Sequence, residues 1–385
     1  MKLFLGSWMN EELDKTAVEG GTSKSVRPAL IASSKTVSEY SMYLERLLVG
    51  LADESISTAL VCPAGSELGF VVPPGVEVIH HPAFELPLLW RQSRRKLVEN
   101  LVNFKPSVLH CLCESEAPLA RWLAWELDLR YVLSVNSLQK RFGRLFISSS
   151  RCAKIIVPAK SIAANISEVY PQFCGRIEQI NMGTFAEETV GCFREGGQLV
   201  SMVTAHPLND ERDFENLFNA VKHLAIDRYE FMFVITGEGS AERRVRKMLV
   251  SLGLSPIVTM VPRMELWRSV LAAGDIFIQP VASFSFNPLL LEAMSVGAAV
   301  ASCKGGVDDL IIEDKTAVVF KADDELSIRR SLQRLFDSQE WARELAKSAQ
   351  DYLRKNYKVS KMMSSMLRIY CEAQEKSVAT TVDND

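Results

Sequence analysis

The chain has 385 residues, a formal net charge of −3, and 24% charged against 48% hydrophobic residues. That length carries two domains with ample core, and the near-neutral charge excludes a polyanion partner such as nucleic acid. No apolar run reaches the roughly 20 residues of a membrane span, and the short apolar start Leu3-Phe4-Leu5 meets Glu11 and Glu12 too soon for a signal peptide.

Residues 1–26 lack periodicity and read as a flexible arm. Ala29 to Ala32 reads as a first strand, Ser33-Ser34-Lys35-Thr36 as a turn, and Tyr40 to Ala52 as an amphipathic helix. That helix turns Met42, Leu44, Leu47, Leu48 and Leu51 inward. Strands follow at Thr58 to Cys62, Val76 to His80, Ser107 to Cys111, Tyr131 to Val135 and Lys154 to Val157. Helices at Leu88 to Phe104, at Ala117 to Leu127 and from Ser161 alternate with them. This rhythm predicts a parallel sheet covered on both faces.

The polar, Gly-rich stretch Phe185 to Gln198 reads as a linker, after which alternation resumes. Strands are expected at Leu199 to Thr204, Phe231 to Thr236 and Ile257 to Val261, with helices at Phe214 to Leu224 and Ala241 to Leu252. Helices fill residues 325–375, and residues 376–385 read as a disordered tail. The eight cysteines are scattered. Cys111 and Cys113 are the only close pair, and no histidine spacing accompanies them, so reduced buried thiols in a cytoplasmic protein are expected rather than a metal site.

Residues 274–312 hold the most informative stretch. Asp275 to Gln279 is one buried strand, and Asn287 supplies an N-cap. Pro288 sits where a first helical residue tolerates a missing N–H, and Gly297 ends the helix. Ala298 to Ser302 is a second strand, and Lys304-Gly305-Gly306 is a turn into a further helix. Helix N-termini at the carboxyl edge of such a sheet favour phosphate. Glu292, a lone carboxylate in an apolar helix, needs a polar partner, which two ribose hydroxyls would supply; the plain alternative is a helix-surface charge.

The run F-S-F-N-P-L-L-L-E-A-M-S-V-G-A-A-V-A-S-C-K-G-G resembles the donor-binding core of GT4-type (group 1) glycosyltransferases of the GT-B fold. The resemblance implies an α/β protein of two Rossmann-like parallel-sheet domains facing a cleft. It places an acceptor-side domain at 27–188, braced by a returning helix at 357–375, and a nucleotide-sugar domain at 195–356. It further implies transfer of a hexose, with retention, from a nucleotide-diphosphate sugar to a saccharide or lipid-linked acceptor. No cofactor is expected beyond that donor substrate.

By the same resemblance Glu292 holds ribose, and the amides of Asn287, Pro288 and Leu289 mark the diphosphate end. Arg212 fits a basic diphosphate position, His206 stands near a second, Arg263 follows the strand that closes over the base, and Gly237 lies in the donor-side run F-V-I-T-G-E-G-S. On the other domain His110 ends a strand and is either a cleft residue or a core histidine, and Asn136 stands where the family has a histidine. Phe284 replaces the first of the family's paired glutamates, and no basic residue stands at the position near His206. These departures point either to a divergent donor or to lost catalysis with retained nucleotide binding. A sugar-nucleotide epimerase shares the fold and is a further alternative. The apolar and basic region from Trp90 to Lys96 is a candidate peripheral contact with the inner face of a membrane, or a solvated helix face. On these readings Glu292→Gln should weaken nucleotide binding and leave folding unchanged.

Overall fold

The computed structural model describes residues 26–81, 90–141, 143, 145–194, 199–261 and 267–379, with only the backbone for residues 90, 91, 267 and 376–379. Seven strands make the first sheet: β1 (Pro28–Ile31), β2 (Thr58–Pro63), β3 (Val76–His81), β4 (Val108–Cys111), β5 (Tyr131–Ser134), β6 (Cys152–Val157) and β7 (Ile177–Gln179). Their order is β3-β2-β1-β4-β5-β6-β7, and every pairing is parallel. Helices α1 (Ser34–Glu39), α2 (Ser41–Asp53), α3 (Trp90–Phe104), α4 (Ala117–Glu126) and α5 (Lys160–Val169) connect them.

The second sheet holds β8 (Val200–Ala205), β9 (Phe231–Thr236), β10 (Val258–Val261), β11 (Ile276–Gln279), β12 (Ala299–Cys303) and β13 (Val318–Phe320). It is also wholly parallel, in the order β10-β9-β8-β11-β12-β13. Its helices are α6 (Arg212–Ile226), α7 (Glu242–Ser251), α8 (Trp267–Ala272), α9 (Pro288–Ser295), α10 (Glu325–Asp337) and α11 (Gln339–Asn356). The last helix, α12 (Val359–Ala379), packs on β4, β5 and β6 of the first sheet and on α2. β1, β2, β4, β11 and β12 are buried end to end, as strands covered by helices on both faces must be.

Four local readings are corrected. Ser33 to Thr36 is no turn: the Ser33 hydroxyl accepts from the Thr36 amide at 3.1 Å and starts α1. No helix follows Gly305 and Gly306, although both take positive φ (121° and 69°) as a tight turn requires. There Thr316 Oγ1 accepts the Ile312 amide at 2.8 Å and donates to the Leu310 carbonyl at 2.7 Å, closing a loop instead. β7, α8 and β13 are elements that the periodicity did not reveal. The terminal helix continues through Ala379, and the remaining tail, like the arm at 1–25, lies outside the described residues.

His110 settles as a core residue rather than a cleft residue. It is fully buried, with Nδ1 at 2.7 Å from the Tyr370 hydroxyl of α12 and Nε2 at 2.9 Å from Ser134 Oγ. Burial pushes its pKa down to about 3 from the ordinary 6.5. The unfolded chain therefore binds a proton below pH 6.5 that the folded chain refuses until about pH 3. The stability is present above pH 6.5 and is lost as pH falls through that window, by about 1.4 kcal/mol per unit. Urea unfolding between pH 7 and pH 5 should show this slope, and His110→Gln should flatten it. Tyr370→Phe, which strands Nδ1, should cost about 1–3 kcal/mol at pH 7.

Candidate functional site

The carboxyl ends of β11 and β12 face the first domain across a closed seam. Asn287 has an extended backbone (φ −100°, ψ 100°), and its side-chain oxygen accepts the amides of Leu289 (3.0 Å) and Leu290 (3.2 Å). Its Nδ2 donates to Gln279 Oε1 at 3.0 Å. The cap is formed as the sequence suggests, but it uses the helix-start donors that a phosphate would need, and Pro288 offers none.

Glu292 lies five residues further along α9, about one and a half turns. It is 1% exposed, and its partners come from both domains. Arg46 of α2, itself 9% exposed, donates Nη1 to Oε1 at 2.5 Å and Nη2 to Oε2 at 2.7 Å. Thr184 Oγ1 donates to Oε1 at 3.0 Å, and Arg268 Nη1 of α8 donates to Oε2 at 2.8 Å. Arg268 also reaches Glu187 at 3.3 Å and the Phe185 carbonyl at 2.9 Å, while Arg46 Nη1 reaches the Gly183 carbonyl at 3.1 Å. Burial alone would raise the Glu292 pKa, but the charge and hydrogen bonds of Arg46, then Arg268 and Thr184, outweigh it and hold the group below its ordinary value.

A carboxylate has about four lone-pair sites, and here they are filled by protein. Glu292 is therefore neither a surface charge nor, in this closed arrangement, open to ribose. The sequence reading missed both arginines. Arg46 stands among the buried Tyr43, Leu44, Leu47 and Leu48 of α2, and a charge inside an apolar stripe is the signal that would have found it. Arg268 lies on α8, whose six residues are too few for periodicity to register.

Further seals join the domains above this cluster. Phe286 N donates to the Asn136 carbonyl and Leu138 N to the Phe284 carbonyl, each at 2.8 Å, so Ser137 and Ser285 pair as a short antiparallel bridge. The Tyr40 hydroxyl donates to the Phe286 carbonyl at 2.9 Å. Asn136 is 7% exposed, and its Nδ2 is spent on the Leu112 carbonyl at 2.9 Å, so it holds the loop rather than presenting an amide. The carboxylate of Glu114 accepts the Asn136 amide at 3.1 Å and the Ser137 hydroxyl. Phe284 itself is 70% exposed, its ring left outside the bridge its own carbonyl makes. On the far side Asp309 accepts the Lys160 amide (2.6 Å) and the Ser161 hydroxyl (2.5 Å), tying α5 to the second domain.

The remaining candidates sit at the carboxyl ends of β8 and β9. A side chain at Gly237 would collide with the His206 carbonyl, so glycine is required there by backbone approach. His206 Nε2 lies 3.2 Å from Asp213, and burial lowers its pKa against that carboxylate. Arg212 heads α6 with its guanidinium on Asp210 at 2.5 Å and its side chain 80% exposed. Arg263 lies outside the described residues. Of the basic helix after Trp90, Arg94 stacks 4.9 Å over Trp122 and Arg95 pairs with Glu99 at 2.9 Å. No helix among the described residues is long and apolar enough to cross a membrane.

The expectation that Glu292→Gln leaves folding unchanged is corrected by this geometry. The amide cannot neutralise Arg46, which would be left buried without a counter-charge. Breaking such a pair costs about 3–5 kcal/mol. Because the folded pKa of Glu292 is depressed, its stabilisation is present above about pH 4.5, its ordinary value, and is lost as pH falls through the folded value. Urea unfolding at pH 7 should find Glu292→Gln strongly destabilised, and Arg46→Met/Glu292→Met together milder than Glu292→Gln alone.

Comparison with known proteins agrees with this architecture. The sequence profile of Glycosyl transferases group 1 matches residues 198–352. Sulfoquinovosyl transferase SQD2 of Arabidopsis thaliana is 22% identical over 296 residues, 69% of this chain; the chain spans 57% of that relative's length. Sucrose-phosphate synthase of Thermosynechococcus elongatus superposes with a TM-score of 0.72 at 16% identity, covering 90% of this chain and 98% of its own. Anabaena HepE, solved with UDP and glucose, gives 0.71 at 10% identity, covering 89% and 98%. With two parallel sheets and this profile match, the second domain is similar to the group 1 glycosyltransferases and the chain has the GT-B fold.

Proposed function

We propose that the protein transfers a sugar from a nucleotide-diphosphate donor to a saccharide or lipid-linked acceptor, with retention at the anomeric carbon. The observation that carries this reading is the unit β11–α9–β12. A capped helix opens at the carboxyl ends of two parallel strands, with Glu292 one and a half turns inside. Fixing a diphosphate and a ribose there would orient the anomeric carbon toward the first domain, and positioning is the main lever such a transfer has. The UDP and glucose held by HepE support the donor class. Peripheral contact with a membrane through residues 90–96 belongs to the same reading.

A second reading, a nucleotide-binding homologue without turnover, draws on Phe284. A phenyl ring accepts no hydrogen bond from a sugar hydroxyl, and an unpaired buried hydroxyl costs about 1–3 kcal/mol. Calorimetric binding of UDP-, GDP- and ADP-sugars, run beside a hydrolysis assay, separates the two. One nucleoside diphosphate should bind, and its common hexose donor should bind no tighter. Turnover of a deoxy or acylated sugar donor supports the transferase, and binding with no turnover of any donor supports the second reading. Because Phe284 is exposed, Phe284→Glu should fold normally and harm turnover of the native donor. Efficient turnover of UDP-glucose by the unmodified protein would overturn the role given to Phe284. Failure of every nucleotide to bind would overturn the donor site itself.

A further inference from the structure

We propose that the first domain carries an internal competitor for the donor nucleotide: Arg46 occupies the ribose carboxylate, and the nucleotide binds only after the two domains part. This rests on the reading of α9 as the donor helix. Tyr40, just before α2, reaches the Phe286 carbonyl just before α9, and Arg46 in the middle of α2 reaches Glu292 within α9, so two side chains of the first domain bridge to this unit. Each donor-site group has a protein substitute for a ligand contact. Arg46 and Thr184 take Oε1 of Glu292, the Asn287 side chain takes the amides of Leu289 and Leu290, and the bridge from Ser137 to Ser285 covers the loop that carries Phe284.

The exchange is feasible because it is nearly balanced in charge. When α2 withdraws, Arg268 stays on Oε2 at 2.8 Å, so Glu292 keeps a cation beside it. Arg46 passes to the water of the opened seam, where its own desolvation is relieved. Two ribose hydroxyls then donate to the vacated lone pairs. If the closed form is favoured about ten to one, apparent nucleotide affinity falls about tenfold, since only the open fraction binds.

The test uses the full chain with UDP, GDP and ADP as probes, by calorimetry and stopped-flow fluorescence. In the wild type the observed binding rate should saturate with ligand, at the opening rate. Arg46→Met, which keeps the length of the stem without the charge, should bind the preferred nucleotide at least about tenfold tighter, with a rate that no longer saturates. A second variant guards against misfolding. Paired positions in an antiparallel bridge are about 4.5–5.5 Å apart at Cα, within disulfide reach, so Ser137→Cys/Ser285→Cys should close covalently with diamide. The oxidised form should lose nucleotide binding, and dithiothreitol should restore it. Undiminished binding by the oxidised form overturns the proposal while leaving the donor site in place, as does Arg46→Met with wild-type affinity and rate. If neither wild type nor Arg46→Met binds any of the three nucleotides, the donor-site reading falls, and this one with it.

Discussion

One buried carboxylate organises the junction between the domains. Glu292 cannot sit uncompensated in an apolar helix, and its partners are drawn from three separate segments: α2 of the first domain, residue 184 after the first sheet, and α8 of the second domain. Because the cost of an unpaired buried charge is several kcal/mol, the positions of these segments are coupled. Tyr40 and the bridge at Ser137 and Ser285 then extend the contact upward, and α12 braces the first sheet from below. The seam thus sets a buried polar cluster beside an apolar core that runs through both domains.

That arrangement bears on how the fold serves its chemistry. The helix N-terminus of α9 and the carboxylate of Glu292, which are proposed above to hold a nucleotide diphosphate, are both satisfied here by the protein's own groups. A surface built to recognise polar ligands must be hydrated or self-satisfied when no ligand is bound, because unpaired buried donors and acceptors are costly. This chain takes the second course. Phe284, on the loop before α9, is exposed rather than held within the seam.

Much of the architecture was legible in the sequence because it follows from local patterns. Continuous apolar runs such as Ile276 to Gln279 mark strands buried on both faces, and Asn287-Pro288 marks a helix start whatever surrounds it. The run from Phe284 to Gly306 carried the family resemblance. Short elements escaped: α1 and α8 have six residues each, and β7 and β13 three each, fewer than a period can declare. The loop after Gly306 resembled a helix start until Thr316 closed it.

The partners of each polar group were decided only by tertiary structure. His110 has the same neighbours in sequence whether it lines a cleft or a core, and Tyr370, 260 positions away, makes it a core residue. Asn136 likewise reads as a cleft residue until Leu112 takes its hydrogen bond, and nothing local in the sequence says that Arg46 and Arg268 hold Glu292. Propensity and periodicity act over a few residues and are written in the chain. Desolvation and charge pairing act through space, so the sequence determined which groups this protein would bring to its seam, and only the meeting of Arg46 with Glu292 across it decided which of them would be spent on each other.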